Sequence, residues 1–509
     1  MKTVYIDGQS LTLEDVELVA NRKAKVEINP NSVDKINKSR KFVDDVIQGD
    51  EYVYGINTGF GALSSVIIAK DKLERLQLNL VRSHACGVGD YFEEPSARAI
   101  ILLRANTLAR GFSGIRLTTL EKMFELLNKG VTPAIPKQGS VGASGDLAPL
   151  AHLAIVLVGE GKAFYNGKLL SGADALKEAG IEPVVLGAKE GLALTNGTQA
   201  MCGTGVLSLL RAEKLAKIAD IAAAMSVEAM KCTSSAFDPR IQQLRGHKGQ
   251  IKTADNLLKL LNNSKIAKSH ENCNKIQDPY SIRCIPQVHG AARDVFAYVR
   301  QTLETEINAV TDNPIIFADD NDVISGGNFH GQPVAFAMDF LGIASSELAS
   351  ISERRIDKLI TPNFSGLPAF LTDDFGLNSG LMIVQYAAAS LVSENKVLAH
   401  PASVDSIPTS LDKEDHVSMG TTAAVKAERI LNNVQNVIAI ELLAAFQGLS
   451  FHEALDPGEG VLEAYRHLEN YVPKITEDRV FSYDIKNIYD VISSGTILET
   501  VENCVGKLY

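Results

Sequence analysis

The residues with the most distinctive chemistry lie at 139–146, with the sequence Gly-Ser-Val-Gly-Ala-Ser-Gly-Asp. Three glycines allow the backbone to turn tightly and to adopt positive φ values. An apolar run at 147–154 follows, so one interpretation is a helix start with Ser144 or Asp146 as its N-cap. A phosphate-binding loop is excluded, because such loops end in Gly-Lys-Ser/Thr, whereas Gly145 is followed by an acid.

The triplet Ala143-Ser144-Gly145 permits a second chemistry. If the chain bends tightly, the amide nitrogen of Gly145 can attack the carbonyl carbon of Ala143, and loss of water closes a five-membered ring. Loss of the Ser144 hydroxyl then leaves an exocyclic methylene. Gly145 has an unhindered nitrogen, Ala143 is small, and Ser144 carries a leaving group. The product, 4-methylidene-imidazol-5-one, is an electrophile that no ordinary side chain provides.

Three loops in the first 200 residues carry polar side chains with two interpretations each. Tyr54 begins the glycine-rich segment 54–61, which is typical of a surface turn, although a loop tyrosine with a lowered pKa can be a general base. His84 lies at a predicted helix end, where histidine is typical of a C-terminal cap. Asn196 precedes a long helical run, and it or Thr198 can be that helix's N-cap.

Three later segments are equally open. The sequence Gln-Asp-Pro-Tyr-Ser-Ile-Arg-Cys at 277–284 indicates a polar turn, although Arg283 can bind a carboxylate through two parallel hydrogen bonds. Phe329 fits a core position, and we interpret His330 as structural. Glu414 lies in a mixed charge run, which is typical of a solvated helix start.

Together these segments resemble the motifs of the aromatic amino acid ammonia-lyases, in the family's order, and most closely those of the histidine-specific members. The likeness extends from about residue 54 to residue 448. It implies that residues 143–145 form the methylidene-imidazolone, with neither a metal nor a nucleotide as a further cofactor.

The resemblance implies roles for residues around that ring. Tyr54 takes the place of the base that removes the β-proton of the substrate, and Tyr280 is a second candidate for proton transfer. Asn196 becomes a donor to the ring and to the substrate carboxylate. Arg283 clamps the α-carboxylate, and Gln277 lines the site.

The resemblance also implies how the substrate side chain is recognised. His84 faces that side chain, and Phe329 packs against the prosthetic ring. Glu414 accepts an imidazole N–H, whereas tyrosine- and phenylalanine-specific members usually have glutamine there. One departure from the family is Lys413, where glutamine is common; an ion pair between Lys413 and Glu414 would weaken the imidazole contact.

The implied activity is deamination of L-histidine to trans-urocanate and ammonia, the first step of histidine degradation. A tyrosine ammonia-lyase or aromatic aminomutase would share the electrophile but should prefer another residue at 414. A non-catalytic helical scaffold is the alternative from another class. The Gly-Ser-Ser signature loop of the aspartase/fumarase group is not found in the sequence.

The composition sets further bounds. The chain has 509 residues, of which 45% are hydrophobic and 22% charged, as in globular proteins. A net charge of −11 is unlike the basic footprint of nucleic-acid binding. No membrane helix or signal peptide is predicted. The six cysteines, at 86, 202, 232, 273, 284 and 504, form no Cys-x-x-Cys pair, so we expect reduced thiols in a cytoplasmic protein.

The elements that must position these residues are mostly helices. The N-terminal region should begin with a strand pair turning at Asp7-Gly8. Thr12 or Glu14 should open a short helix, and Asn31-Ser32 should cap a longer one. Helices with polar faces are predicted at 69–85 and 94–110, and a hairpin at Asn166-Gly167.

Long helices are predicted at 199–231, 286–310, 378–398 and 420–447. An apolar stripe at spacings of three and four predicts a core-facing helix; its members are Val334, Met338, Leu341, Ala344, Leu348 and Ile351. The predicted fold is mainly α, a long antiparallel helical bundle with a smaller mixed N-terminal region that carries the cofactor loop. We predict two regions, 1–197 and 198–509, with an approximate boundary, and expect them to form one continuous body. The resemblance implies a homotetramer with shared active sites.

Overall fold

The computed structural model describes residues 1–49, 51–270, 276–452 and 454–509. About 60% of the chain is helical, and the strands form small sheets of two or three members. The predicted mainly α fold class is therefore confirmed.

The longest described helices, of 22 to 31 residues, all lie after residue 198, whereas those before it have at most 19 residues. The earlier ones are α1 Leu13–Ala20, α2 Pro30–Gln48, α3 Leu73–His84, α4 Glu94–Ala109, α5 Leu117–Lys129, α6 Leu147–Leu157, α7 Gly172–Glu178 and α8 Glu190–Thr195. The later ones are α9 Gln199–Ala229, α10 Pro239–Arg245, α11 Lys248–Leu260, α12 Lys265–Ser269, α13 Tyr280–Arg283, α14 Ile285–Glu306, α15 Gln332–Leu359, α16 Pro362–Ser365, α17 Met382–Leu398, α18 Gly420–Ser450, α19 Glu459–Glu469, α20 Phe481–Ser494 and α21 Thr496–Val505. Short 3-10 helices lie at Gly61–Leu63, Lys70–Lys72, Ser235–Phe237 and Ala369–Leu371.

The strands are short and paired locally. They are β1 Lys2–Ile6, β2 Ala24–Ile28, β3 Val88–Tyr91, β4 Thr132–Pro133, β5 Pro136–Gln138, β6 Lys162–Tyr165, β7 Lys168–Ser171, β8 Ile315–Phe317 and β9 Asp322–Ile324. The sheet orders are β1-β2, β3-β5, β4-β6-β7 and β8-β9. The predicted hairpin at Asn166-Gly167 is confirmed, since β6 and β7 pair antiparallel from Tyr165 opposite Lys168.

The predicted strand pair turning at Asp7-Gly8 is wrong. β1 pairs with β2 in parallel, Lys2 opposite Ala24, and α1 forms the connection between them. Asp7 does not close a hairpin, because its carboxylate accepts the backbone N–H groups of Gln9 and Ser10 at 2.8 and 2.9 Å. That local turn directs the chain into α1 instead.

The helix starts follow the sequence with one shift. Thr12 caps α1 by accepting the N–H of Asp15 at 3.1 Å, as predicted. The N-cap of α2 is Asn29, two residues earlier than the predicted Asn31-Ser32, and Pro30 occupies the first helical position. Proline suits that position because its fixed φ is helical and no N–H is needed there.

The predicted polar face of α4 is wrong, because the helix is buried from Ser96 to Ala109. Its arginines are buried with their charges satisfied by backbone oxygens. The Arg98 guanidinium donates to the carbonyls of Val19, Ala20 and Leu127 at 2.9–3.1 Å; these carbonyls lie in the last turns of α1 and α5. Burial lowers the pKa of Arg98 to about 10, so the group is a cation at neutral pH.

The chain divides into two compact units. The first comprises Met1–Ser208, Arg300–Asp339 and Pro401–Lys426, and it contains every strand named above. The second comprises Leu209–Val299, Phe340–His400 and Ala427–Tyr509. Each is assembled from three segments, and the boundary at 197/198 and the single continuous body stay predictions.

The long helices lie where the sequence predicts them, and all six members of the apolar stripe in α15 are buried. This helix is long and apolar enough to cross a membrane, but 72% of its apolar stretch is buried inside the protein, which identifies it as a core helix. The second unit also buries a charge pair: the Arg355 guanidinium donates to both oxygens of Glu441 at 2.5 and 2.8 Å. The five described cysteines are free thiols; Cys273 lies outside the described residues.

Candidate active site

One large pocket, of about 1290 Å³, opens in the first unit. It brings together side chains that are far apart in sequence. The predicted site residues in its lining are Tyr54, His84, Ala143, Ser144, Asn196, Phe329 and Glu414. Seven of the predicted residues therefore share one cavity, and most of the remaining lining is apolar, including Leu63, Ile67 and Leu411.

The turn at 142–145 is held against a second glycine. Gly142 and Gly145 have φ values of 73° and 74°, and a Cβ on Gly145 would overlap the carbonyl oxygen of Gly197. The next amide, that of Asp146, donates to the same oxygen at 2.6 Å. Only glycine fits this contact, which leaves the nitrogen of Gly145 without a neighbouring Cβ and fits the residue requirements of the predicted ring.

Asp146 has a different role from the predicted one. It occupies the N-cap position of α6, yet its side chain makes no capping hydrogen bond. The buried carboxylate instead accepts from the Ser140 hydroxyl and the Met201 N–H, both at 2.9 Å, and from the Thr421 hydroxyl. Burial raises the pKa of Asp146, and these hydrogen bonds act in the opposite direction.

The start of α18 supports the same turn from the other side. The N–H of Met419 donates to the carbonyl of Val141 at 3.0 Å, and the Ser418 hydroxyl lies 3.4 Å from the carbonyl oxygen of Gly142. Met419 has a φ of 55°, a conformation that a non-glycine residue rarely adopts. The turn at 142–145 is thus fixed between the Gly197 segment and residues 418–421.

Tyr54 is half-buried in the pocket wall, and its side chain is tied to its own loop. Its hydroxyl oxygen accepts the N–H of Gly61 at 3.3 Å, across the turn that the glycines of this segment allow. The hydroxyl is therefore held near the pocket by backbone rather than by a distant side chain.

His84 and Glu414 both line the pocket, and the charge of Glu414 acts on the His84 ring. Burial lowers the pKa of His84, while the backbone of Leu80 and the charge of Glu414 act to raise it. His84 is therefore neutral at physiological pH. Glu414 is held by a two-residue bridge in which the N–H of Thr409 donates to its carbonyl at 3.0 Å.

Lys413 lines the same pocket, but it does not neutralise Glu414. In the described part of the chain no ion pair joins these two side chains within 4.0 Å. The loop that carries them includes Ser410, Leu411 and Asp412, all with φ values of 54–60°. The turn therefore places both side chains in the pocket lining without an ion pair between them.

Asn196 is buried, 2% exposed, at the end of α8. Its amide nitrogen donates to Asp312 Oδ1 and to the carbonyl oxygen of Asn313, both at 3.2 Å. Both amide hydrogens are thus engaged by the protein, so a donor role towards a ring or a substrate would require one of them to be released. That predicted role stays a prediction.

The sequence and the fold are similar to those of known lyases. The sequence model of the aromatic amino acid lyase family matches residues 11–470. The chain is 54% identical over 505 residues to a histidine ammonia-lyase of Alkaliphilus oremlandii, covering 99% of both chains. It is also similar to the crystal structure of histidine ammonia-lyase from Trypanosoma cruzi, with a TM-score of 0.92, 45% identity and coverage of 99% of this chain and 95% of that one. The chain belongs to the aromatic amino acid lyase family.

The protein is a carbon–nitrogen lyase, as are its relatives named histidine ammonia-lyase at 54% and 52% identity over nearly the whole chain. A further solved relative is the tyrosine aminomutase of Streptomyces globisporus, 39% identical with a TM-score of 0.94 and complete coverage of both chains, 100% of each. The family architecture therefore extends over proteins with different named substrates, and substrate recognition must be argued from individual pocket residues.

Three predicted site residues of this lyase lie in the second unit and are not among the residues that line the pocket: Gln277, Tyr280 and Arg283. Tyr280 is 72% exposed, and the Arg283 guanidinium lies 4.2 Å from the centre of its ring. The Nε of Arg283 is buried with no hydrogen-bond partner among the described residues. This arginine thus retains an unused donor beside an exposed tyrosine.

Several contacts that build the lyase pocket were not predicted from sequence. Thr421, Ser418 and Asp312 hold site residues through bonds that span more than 100 positions along the chain. The positive φ of Met419 could not be predicted, because methionine does not favour that conformation. The one local signal for Asp312 is its place in the Asp-Asn-Pro sequence at 312–314, which interrupts the helical pattern.

The ring of His330, which we interpret as structural, stacks on His416 with centres 5.8 Å apart, and its Nε2 lies 3.2 Å from the His416 carbonyl oxygen. Among the residues described, no group of three or more His, Cys, Asp or Glu side chains is placed to hold a metal ion.

Proposed function

We propose that this lyase deaminates L-histidine to trans-urocanate and ammonia, the first step of histidine degradation. The observation that carries the proposal is the pocket in which Ala143 and Ser144 lie together with Tyr54, His84 and Glu414. The relatives named histidine ammonia-lyase, 54% and 52% identical over nearly the whole chain, support the same substrate.

The proposed cofactor is the 4-methylidene-imidazol-5-one formed from Ala143, Ser144 and Gly145. Once formed, it supplies an electrophilic carbon to the amino group of the substrate, which turns a poor leaving group into a better one. The tight turn at Gly145, fixed by the Gly197 carbonyl, supports this proposal. No metal or nucleotide is proposed.

The remaining reacting groups come from the chain itself. Tyr54 is proposed to take the β-proton, because its hydroxyl is held in the pocket by the N–H of Gly61; Tyr280 is the second candidate. Arg283 is proposed to hold the α-carboxylate with a paired hydrogen bond. Gln277 and Phe329 are proposed to line the site.

Selection of histidine is proposed to rest on His84 and Glu414. A carboxylate accepts the N–H of an imidazole, whereas a phenyl ring offers no donor. The neutral His84 can exchange a further hydrogen bond with the substrate ring. Because Lys413 forms no ion pair with Glu414 in the described residues, the carboxylate oxygens are not engaged by this lysine and can accept from the substrate.

We propose that the protein assembles as a homotetramer with shared active sites. The cavity of about 1290 Å³ exceeds the roughly 300–1,000 Å³ of pockets that enclose drug-sized ligands. One amino acid would leave most of it filled with water. A second copy that brings Tyr280 and Arg283 to the pocket would both close it and complete its chemistry.

The proposed compartment is the cytoplasm, consistent with free thiols at Cys86, Cys202, Cys232, Cys284 and Cys504 and with reducing conditions there. The partners proposed are the small-molecule substrate and further copies of the chain, with neither nucleic acid nor membrane.

The test is ultraviolet absorbance of the purified protein incubated separately with L-histidine, L-tyrosine and L-phenylalanine. Ser144→Ala serves as the matched control, since it removes only the leaving group of the ring. We expect urocanate from histidine alone, and none from the variant. Intact mass should be lower than the sequence mass by two water molecules in the parent protein only.

Other outcomes would decide between the alternatives. Coumarate or cinnamate would retain the electrophile but identify a tyrosine ammonia-lyase or a related activity. A β-amino acid product would identify an aminomutase. Absence of product with all three substrates, together with an unchanged mass, would contradict the proposal and favour a non-catalytic scaffold.

A further inference from the structure

A chain of buried charged side chains joins the long helices of the second unit. Arg355 on α15 is 0% exposed and donates to both oxygens of Glu441 on α18, Nε to Oε1 at 2.5 Å and Nη2 to Oε2 at 2.8 Å. Two hydroxyls donate to the same carboxylate, that of Ser226 on α9 at 2.7 Å and that of Ser352 on α15 at 2.6 Å. Because Glu441 is fixed from three helices, it holds Arg355 in one orientation.

A buried histidine links this pair to a second one. The His289 side chain on α14 is 0% exposed; its Nδ1 lies 2.7 Å from Asp220 Oδ1, and its Nε2 lies 3.5 Å from Nη1 of Arg355. Burial lowers the pKa of His289, so the ring is neutral at neutral pH. An arginine can only donate and a carboxylate can only accept, so the hydrogen-bond network assigns the proton to Nδ1 and makes Nε2 the acceptor.

The charges of this network balance. Asp220 also pairs with Arg293 at 2.5 Å, so two guanidinium groups and two carboxylates flank one neutral ring. Buried ion pairs give little net stability relative to apolar side chains, because each charge is costly to remove from water. They do restrict their members to one geometry, so the network is suited to fixing the position of whatever it contacts.

The nitrogen of Arg355 that Glu441 leaves over faces α13. This atom, Nη1, lies 3.5 Å from the carbonyl oxygen of Ser281 and 3.5 Å from His289 Nε2. Both neighbours are acceptors, and Nη1 carries two hydrogens. Ser281 precedes Arg283 by two residues in the same four-residue helix. The network therefore ends on the backbone of the helix that carries the proposed carboxylate clamp.

The clamp side chain depends on that backbone for its position. The buried Nε of Arg283 and the buried Oγ of Ser281 have no hydrogen-bond partner in the described chain, and the guanidinium packs on the ring of Tyr280, a member of the same helix. A helix of four residues is not stable by itself. It is held from before by Asp278, whose carboxylate accepts the N–H of Thr233 at 2.8 Å, and from inside the unit by Arg355.

We propose that Arg355 is a positioning residue: supported by Glu441 and His289, it fixes the backbone of α13 so that the Arg283 guanidinium meets the α-carboxylate of the substrate with two parallel hydrogen bonds. This inference rests on the proposed function, in which Arg283 holds that carboxylate. Arg355, Glu441 and His289 are each 0% exposed, so they act on the substrate only through α13.

The test compares two ligands that differ in the carboxylate alone. Imidazole-4-propanoate has the ring and the carboxylate of histidine, whereas 4-propylimidazole has a methyl group in place of the carboxylate. Isothermal titration calorimetry measures both Kd values without turnover. Arg355→Met/Glu441→Gln is the variant to use, since it removes both charges and avoids a lone buried ion.

We expect the Kd of this double variant for imidazole-4-propanoate to rise about tenfold, as for loss of one charge-assisted hydrogen bond, and that for 4-propylimidazole to change less than about threefold. With Arg283→Ala as the starting protein, which lacks the clamp, the same two substitutions should change the Kd for imidazole-4-propanoate less than about twofold, because the effects are not additive.

Three outcomes would overturn the proposal: an unchanged ratio of the two Kd values, an equal rise of both, or a tenfold effect that persists in Arg283→Ala. Equal binding of the two ligands by the parent protein is a different outcome. It would refute the carboxylate-binding role of Arg283 in the proposed function itself.

Arg211→Met is the matched control for folding. Arg211 on α9 also donates to α18, to Gln435 Oε1 at 3.0 and 2.7 Å, and its other described hydrogen bonds go to Asn432 and Tyr489 rather than to α13. This variant should lower Tm by loss of those bonds, while the ratio of the two Kd values is retained. A changed ratio in Arg211→Met would mean that general loosening of the unit, and not the contact of Arg355 with α13, sets the preference for the carboxylate.

Discussion

At the scale of single residues, the pocket combines a neutral ring, that of His84, with the carboxylate of Glu414. Burial lowers the pKa of His84 and so keeps its ring neutral, whereas Glu414 acts on that ring as a negative charge. A neutral ring and a carboxylate together suit a substrate side chain that both donates and accepts. Imidazole has both functions in its neutral form.

Glu414→Gln tests this recognition. The amide retains the size of the side chain but loses the charge, so we expect kcat/KM for histidine to fall about 10- to 100-fold, as for loss of a charge-assisted hydrogen bond. The activity towards tyrosine should fall less or rise. Steady-state kinetics with both substrates provide the measurement.

Lys413→Gln is the matched control in the same loop. Because Lys413 does not pair with Glu414 among the described residues, its removal should change kcat/KM for histidine by less than about threefold. A larger increase would mean that the lysine does compete for Glu414, and a larger decrease that it binds substrate itself.

The residues of the pocket were predictable to the extent that their motifs are contiguous. Tyr54, Ser144 and Asn196 each lie in a short segment whose neighbours carry the resemblance, and the structure brings all three to one cavity. Asp146 and Lys189 were different. Their hydrogen-bond partners, Thr421 and Asp312, lie more than 100 residues away along the chain. No local sequence pattern predicts a contact between residues so far apart.

At the scale of elements, the turn at 142–145 depends on a close backbone contact. Gly145→Ala would place a Cβ onto the carbonyl oxygen of Gly197, which is rigid backbone. We expect the variant to lose the mass decrease of two waters, because the turn can no longer bend against that carbonyl. Intact-mass spectrometry and a thermal melt provide the measurement.

Gly167→Ala is the matched control, since Gly167 has the same φ of 74° but no atom within 4 Å of the added Cβ. This variant should lower the free energy of unfolding only by the strain of a left-handed residue, about 1–2 kcal/mol. Its mass should still be lower by two waters. Normal ring formation in Gly145→Ala would show that the contact with Gly197 is dispensable.

A second element-scale prediction concerns the end of α9. Glu228 is 2% exposed and accepts the N–H of Gly458 at 2.8 Å, while its Oε1 has no partner in the described chain. Burial raises the pKa of Glu228 to about 7. The folded state therefore binds this proton more tightly than the unfolded state, and stability is lost as pH rises from about 4.5 to about 7.

Glu228→Gln mimics the protonated acid and should remove this dependence. Each pH unit in that window corresponds to about 1.4 kcal/mol, so the variant should be the more stable protein at pH 8 and about equal to the parent at pH 5. Denaturant unfolding at both pH values measures the difference. A variant less stable at pH 8 would mean that the charged form is favoured.

The elements themselves were predictable where periodicity is strong. The stripe of α15 is buried as its spacing requires. The parallel pairing of β1 with β2 could not be predicted, because the choice between a hairpin and a crossover is made by the side chain of Asp7 and by packing. The burial of α4 was not predicted, because its arginines indicated a solvated face. In the structure they donate to backbone carbonyls instead of to water.

At the scale of the whole molecule, the described pocket lining comes entirely from the first unit. The proposed carboxylate clamp, Arg283, lies in the second unit with an unpartnered Nε. The homotetramer proposal resolves both facts, since a symmetric assembly can bring the same surface of one copy to the pocket of another.

Complementation between inactive variants tests that assembly. Ser144→Ala lacks the ring and Arg283→Ala lacks the clamp, so each alone should be inactive. If each site takes residue 144 from one copy and residue 283 from another, co-expression of the two variants should restore about a quarter of the parent activity by random mixing. Size-exclusion chromatography with light scattering measures the assembly, and urocanate absorbance measures the recovery.

The structure also supplies a pair that should fail to complement. Tyr54 and Ser144 line the same pocket of a single chain, so Tyr54→Phe co-expressed with Ser144→Ala leaves every site with one defect and should recover no activity. Recovery in this pair would place the tyrosine base in another copy's pocket. Absence of recovery in the first pair, with intact tetramers, would mean that Arg283 serves the pocket of its own chain, because the defects would then never be separated by mixing.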